Sequence, residues 1–212
     1  MAKGTVVIDP GHGGAAEVGG SSPNNATSPS GVLEKNITLR MGFLVRDALK
    51  EAATIGSHDV KIIMTRETDK NVGLADRAKV AKTNRADLFL SIHCNASENH
   101  NARGVETLIS PRAVNTNFAA DKAFAQRIQR AVFGAIKAHD PATRDRTVKE
   151  QKLGVLRDDS LGGKARACLV ELEFIDVNAV DELLNVGPNS TQVRGDIARA
   201  IAGAIIDELV NS

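Results

Sequence analysis

Leu88-Phe89-Leu90-Ser91-Ile92-His93-Cys94-Asn95-Ala96 is the stretch whose reading decides the fold. Its counterpart near the start is Val6-Val7-Ile8-Asp9-Pro10-Gly11-His12-Gly13-Gly14. Each opens on a short apolar run, as a strand buried in a parallel sheet does. Each also delivers a histidine at its carboxyl end. In open α/β sheets the active crevice lies outside the carboxyl ends of the strands. Two histidines far apart in sequence can therefore meet there. Imidazole is the commonest metal ligand among side chains, so the pair points to a metal site and sets a search for a third ligand and a base.

Working outward, Lys3 to Asp9 reads as the first strand and Pro10 to Val32 as a long loop rich in Gly, Ser, Asn and Pro. A loop of that length inside a compact domain is usually functional or mobile. From Glu34 the spacing turns helical, with Ile37, Met41, Leu44, Val45, Ala48 and Ala52 on one face. Strands follow over Asp59–Thr65, Ala86–Asn95 and Gly104–Ser110, with a thinly apolar helix over Leu74–Asn84. A long helix over Asn117–Lys137 buries Ile128, Val132 and Ala135. Asp140–Gln151 reads as an exposed loop, Lys152–Arg157 as a short strand near an edge, and Asp158–Lys164 as a turn. Ala167–Phe174 is the sixth strand, Asp176–Leu184 a short helix, and Thr191–Val210 a closing helix with Val193, Ile197, Ile201 and Ile205 inward. The alternation implies an α/β fold: a single domain over residues 1–212, with a mostly parallel twisted sheet of about six strands and helices on both faces.

Composition narrows the function. Apolar residues make up 42% and charged residues 25% of the 212, ordinary for a globular domain. With no Trp, no Tyr and six Phe, there is no aromatic platform for stacking single-stranded nucleic acid. A net charge of +1 lacks the basic footprint of a nucleic-acid binder. No apolar run is long enough to span a bilayer, and no charged segment followed by an apolar one opens the chain as an export signal would. The expectation is a mature domain, a piece of a longer protein, or a protein exported by another route. Cys94 and Cys168 both lie in apolar strand-like runs and read as core residues rather than a disulfide.

The third metal ligand should offer oxygen or nitrogen. Glu34 opens the first helix directly after the glycine loop that carries His12, and a carboxylate there also complements the helix dipole. Glu17, in the flexible loop, competes for the role. Two histidines and a glutamate with an open fourth position form a typical catalytic zinc arrangement. For the base, the sixth strand carries Glu171 amid apolar residues. A carboxylate there is either paired, with Arg157 or Arg166 as partners, or functional. Strand alternation places Glu173 on the same face as Glu171. His58 and His139 read as surface or structural residues, and His100 as a loop residue near the crevice mouth, within reach of a substrate.

Taken together, VVIDPGHGG (6–14), GVLEKNITL (31–39), MTRETD (64–69), LADRAKVA (74–81), ADLFLSIHCNA (86–96), GVETL (104–108), GVLR (154–157) and LVELEFID (169–176) resemble the zinc-dependent N-acetylmuramoyl-L-alanine amidases of the amidase 3 type. The resemblance covers nearly the whole chain in the family's order. It implies one zinc per chain on His12, Glu34 and His93, with Glu171 as catalytic carboxylate. It implies hydrolysis of the amide joining the lactyl group of N-acetylmuramic acid to L-alanine of the stem peptide. The substrate would be peptidoglycan in the bacterial cell wall or periplasm, as for an autolysin or endolysin. A monomer is expected, and no nucleic-acid partner. The rivals are a different zinc hydrolase and a catalytically silent wall-binding module. Two departures stand out. Glu173 occupies a position where the family usually has glycine. Only a short loop joins Asn95 to Gly104, where some members insert a regulatory helix, so an open site is expected.

Overall fold

The structure is a computed structural model, and it describes residues 1–211. Six strands form one sheet: β1 (Lys3–Pro10), β2 (Asp59–Met64), β3 (Leu88–Asn95), β4 (Val105–Ile109), β5 (Asp145–Glu150) and β6 (Arg166–Phe174). Their order across the sheet is β2-β1-β3-β6-β4-β5. β1, β2, β3 and β6 run parallel, while β4 runs antiparallel to β6 and carries β5 parallel to itself along the edge. The sheet is thus mostly parallel and α/β, as the alternation of elements implies.

The helices are α1 (Glu34–Ile55), α2 (Leu74–Asn84), α3 (Phe118–His139), α4 (Asp158–Leu161), α5 (Asn178–Asp181) and α6 (Ser190–Val210). On one face of the sheet, α1, α3 and α6 build the larger core. Ile37, Met41, Val45 and Leu49 of α1 meet Ile128, Val132 and Ile136 of α3 and Ile197, Ile201 and Ile205 of α6. The fourfold spacing is what a helix needs to present one stripe. The even positions of β3 (Leu88, Leu90, Ile92 and Cys94) point into that core. Phe89 points to the other face, where Ala78 and Ala81 of α2 and Leu161 of α4 cover it. Both cysteines are buried and free, as expected of core residues.

Asp158–Lys164, expected as a turn, opens on the short helix α4. Two further segments differ from the sequence reading. Asp145–Glu150, expected as a loop, is the edge strand β5. Its side chains are mostly charged and exposed, which suits an edge that must not recruit another strand. Its pairing with β4 also slips between Val105 and Thr107, so no alternation survives to be read. Lys152–Arg157, expected as a strand, is a loop with a short 3₁₀ turn over Gly154–Leu156. Val155 and Leu156 are buried there under the sheet beside Phe89 and Leu169. Their apolar character comes from that packing and not from strand pairing.

The connections place the crevice. From β1 the chain crosses by α1 to β2 on one side, then by α2 to β3 on the other. The order therefore reverses between the adjacent strands β1 and β3, at their carboxyl ends. A switch point of this kind opens a cleft in α/β sheets. His12 follows β1 and His93 lies near the end of β3, so both histidines border it.

Candidate metal centre

His12, Glu34 and His93 converge, each offering one ligand atom, with these atoms all within 4.8 Å of one another. Glu34 Oε1 lies 3.2 Å from His12 Nε2 and 3.1 Å from His93 Nδ1. The two imidazoles meet edge to face, with ring centroids 4.8 Å apart. The Glu34 side chain is 1% exposed, against 11% for His12 and 18% for His93. The cluster therefore opens to solvent along its histidine side. Glu17 is exposed in the loop and takes no part in the cluster.

Each ligand is fixed by its local chain. Glu34 is the first residue of α1, and the loop before it folds back on both its ends. The Glu34 amide donates to the Ala26 carbonyl at 2.9 Å, and the Ala26 amide donates to Glu34 Oε2 at 3.1 Å. The Cys94 amide adds a donor to Oε1 at 3.0 Å. His12 sits in the left-handed region at φ 60°, unusual for a residue with a side chain. Its Nδ1 lies 3.0 Å from the Ser22 carbonyl. Donation there leaves Nε2 with a lone pair facing the cluster, an orienting contact common for metal-binding histidines. Gly11 makes room for His93, since a Cβ at Gly11 would stand 2.3 Å from the imidazole.

Sequence reasoning missed what holds His12 in that conformation. Arg77, 1% exposed on α2, donates to Asp9 Oδ1 at 2.9 Å, to the Pro10 carbonyl at 2.7 Å and to the His12 carbonyl at 2.7 Å. Arg66 donates to the carbonyls of Pro10, Gly11 and Lys35 at 2.9, 2.8 and 2.8 Å. Asp9 is fully buried. Burial pushes its carboxyl up, but the charge of Arg77 and hydrogen bonds from Thr65, Ser91 and Arg77 outweigh this and hold it below the usual range. A charged residue inside an otherwise apolar strand was the available signal, and its partner on α2 completes the pair.

The electrostatics suit an anionic ligand flanked by bases. Burial works to raise the Glu34 pKa, yet hydrogen bonds and charge from His12 and His93 bring it down to about 2. For His12, burial acts to lower the pKa, and the hydrogen bond and charge of Glu34 overcome it, leaving it raised.

Glu171 is paired in register with His93 across β3 and β6. Its Oε2 is buried and has no partner among the described residues. Neither expected arginine neutralises it: Arg166, at the far end of β6, pairs with Glu208, and Arg157 pairs with Asp159. Burial pushes the Glu171 carboxyl well above its ordinary value, and the nearby charges of Glu34 and Glu106 push the same way. Glu106 stands directly opposite Glu171 on β4 and is itself held by Asn95, Arg146 and Lys149.

Glu173 departs from the expectation that it shares a face with Glu171. Between His93 and Asn95 the pairing slips, so that β6 carries one residue more than β3. Cys168, Val170 and Leu172 alternate into the larger core, but the next residue to do so is Ile175, three positions on. The bulge breaks the alternation. Glu173 is fully buried and accepts from the Gly104 amide at 2.7 Å, the Thr143 hydroxyl at 2.7 Å and Arg103 at 3.3 Å. It is tied into a structural network beside the end of α3.

The remaining histidines lie outside the cluster. His58 Nδ1 accepts from the Ala2 amide at 2.9 Å, and His139 Nε2 lies 2.8 Å from Asp196. The connection from β3 to β4, residues 96–104, contains no helix.

A family model of N-acetylmuramoyl-L-alanine amidases, Amidase_3, matches residues 6–207. The endolysin of Bacillus phage SPP1 is 31% identical over 172 residues, covering 81% of this chain and 55% of the phage protein. The N-acetylmuramoyl-L-alanine amidase LytC of Bacillus subtilis (strain 168) is 30% identical over 177 residues, covering 84% of this chain and 30% of that protein. The chain thus spans about half or less of the length of these curated relatives. Among solved structures, the N-acetylmuramoyl-L-alanine amidase from Clostridium difficile 630 superposes with a TM-score of 0.79 at 26% identity, covering 100% of both chains. The catalytic domain of CwlV, an amidase from Bacillus (Paenibacillus) polymyxa var. colistinus, gives 0.77 at 25% identity, covering 98% of this chain and 99% of that one. With both the sequence match and the fold running across nearly all of its residues, the chain belongs to the Amidase_3 family of N-acetylmuramoyl-L-alanine amidases.

Proposed function

We propose that residues 1–212 form a zinc amidase catalytic domain. It hydrolyses the amide between the lactyl group of N-acetylmuramic acid and L-alanine of the peptidoglycan stem peptide, in the manner of a cell-wall autolysin or endolysin. His12, Glu34 and His93 hold one zinc, and Glu171 is the catalytic carboxylate. The observation that carries this reading is the convergence of two imidazole nitrogens and a carboxylate oxygen beside a buried, unpartnered carboxylate. The donor set fits the ion. Ligands about 2.0–2.1 Å from a tetrahedral zinc stand roughly 3.3 Å from one another, and the two nitrogen–oxygen separations here are 3.2 and 3.1 Å.

When bound, zinc polarises the scissile carbonyl and acidifies water in its open position. The protein supplies the rest. Glu171 accepts the proton of the attacking water as the carbon–oxygen bond forms, then returns it to the alanine nitrogen, after which the carbon–nitrogen bond breaks and the amine leaves. Its environment supports that role, because no donor among the described residues hydrogen-bonds Oε2 to hold the carboxylate permanently charged. Glu171 also lies within the field of Glu34, whose charge adds to burial in pushing its carboxyl up. With no helix in residues 96–104 to cover the crevice, the domain acts without an activator protein, as a monomer.

Digestion of purified peptidoglycan with mass analysis of the products is the test. New amino-terminal alanine is expected from the protein alone, and none after chelation. Glu171→Gln should retain zinc by elemental analysis while turnover falls by about 10²–10⁴-fold. His93→Ala should lose both zinc and turnover. Cleavage elsewhere in the polymer, or undiminished alanine release by Glu171→Gln, would overturn the assignment.

A further inference from the structure

One feature of the crevice edge lies outside the cluster just described. A groove of about 370 Å³ is lined by Thr27, Ser28, Pro29, His100, Asp176 and Asn178. Each wall continues from a segment that carries a site residue. Thr27–Pro29 follow Ala26, which binds Glu34; His100 lies in the loop after His93; Asp176 comes two residues after β6, the strand of Glu171. The groove therefore opens on the same edge of the sheet as the cluster. Five residue steps link Glu171 to Asp176, at most ~18 Å of extended chain.

Its chemistry is that of an unfinished site. The Asp176 side chain is 5% exposed. Its Oδ2 accepts from the Ser97 amide at 3.1 Å and faces His100 Nδ1 at 2.8 Å. Its Oδ1 is buried without a partner among the described residues. A buried carboxylate oxygen without a donor costs free energy. Asp176 is the only acidic residue in the lining, and no lysine or arginine lines the groove to answer it. His100 closes the outer wall: its side chain is 70% exposed, and its backbone sits in the left-handed region at φ 51°. Strained, exposed residues of this kind cluster at ligand sites.

We propose that this groove is a peptide subsite, in which Asp176 Oδ1 receives a primary amine borne on a side chain of the peptide that carries the scissile amide. The inference rests on the amidase reading for the identity of that peptide. Rotation of the exposed His100 ring uncovers the carboxylate, and the incoming ammonium supplies the missing donor and the compensating charge. An extended peptide advances about 3.3 Å per residue. A side-chain amine two or three residues beyond the cut is displaced by about 7–10 Å of backbone plus its own length, within the ~18 Å that bounds the separation of Glu171 and Asp176.

Binding is measured separately from turnover, with zinc-loaded Glu171→Gln protein and two soluble probes: a muramoyl tripeptide ending in lysine, and the same compound acetylated on the lysine side-chain amine. Titration calorimetry should show the acetylated probe binding about tenfold or more weakly, the loss expected for one charge-assisted hydrogen bond. Placing Asp176→Asn in the same protein should weaken the free-amine probe by a similar factor and leave the acetylated probe unchanged, with the melting temperature monitored to exclude loop collapse. Equal binding of the two probes by the Asp176-containing protein overturns the subsite, a comparison that needs no variant at Asp176 to fold. If the wild-type chain fails to release alanine yet discriminates the probes through Asp176, the amidase reading falls while the subsite stands. If it releases alanine and does not discriminate, the reverse holds.

Discussion

Gly11 is a tight constraint on the cluster at the scale of single residues. Any side chain there meets the His93 imidazole at 2.3 Å, and the ring cannot retreat without leaving the cluster. Gly11→Ala should therefore cut zinc stoichiometry well below one per chain while the far-ultraviolet circular dichroism stays native. Full zinc content in that variant would show that His93 has another way to reach the ion. Glu173 makes the opposite case. Its carboxylate belongs to Arg103, Thr143 and the Gly104 amide rather than to the cluster. Glu173→Gly removes one partner of a buried charge network, a loss of about 3 kcal/mol or more. The melting temperature should fall on the order of 10 °C, while turnover below the transition remains close to wild type. An unchanged melting temperature with lost turnover would return Glu173 to the chemistry.

Individual elements show what could be read in advance. The strands β1, β3 and β6 were legible because each is buried over most of its length and carries an apolar run. The histidines at the ends of β1 and β3, and Glu171 within β6, stood out for the same reason, as polar residues that such strands do not need. Glu34 was legible by its place at a helix start. β5 was not, because its identity lies in backbone pairing with β4 and its side chains answer to solvent. The bulge in β6 was equally hidden: one additional residue leaves no trace in composition, yet it turns Glu173 from the face of Glu171. Arg77 lies on the thinly apolar α2 with no partner visible in the local sequence. Its burial follows from its reach across to Asp9, which only the packing reveals. At the start of α3, Asp121 accepts from the Ala167 amide and from Asn115, both at 2.9 Å. Burial first, and the charge of Asp158 second, raise its pKa to about 6 from an ordinary 3.8. The folded state thus holds this proton more tightly than the unfolded chain. Its contribution to stability is present in full below pH 3.8 and is lost as the pH rises through about 6. The shift corresponds to about 3 kcal/mol. Denaturant titrations of Asp121→Asn should lack this decline between those limits. A wild-type slope in the variant would assign the proton to another group.

For the molecule as a whole, the reversal of strand order between β1 and β3 places the cluster, and the side chains of two arginines finish it. Arg66 and Arg77 bind the carbonyls of Pro10, Gly11 and His12. The path of the chain after β1, including the left-handed backbone of His12, is therefore held by contacts within the protein. This has a kinetic consequence. Ion uptake into such a cleft does not wait on any rearrangement of the chain, so encounter sets its rate. In stopped-flow mixing, uptake by protein stripped with chelator should follow a single exponential whose rate constant rises in proportion to free zinc, without a plateau. With Arg77→Met the His12 segment must first find its conformation, and the rate constant should level off at high zinc, where the ordering of that short segment becomes the slow step.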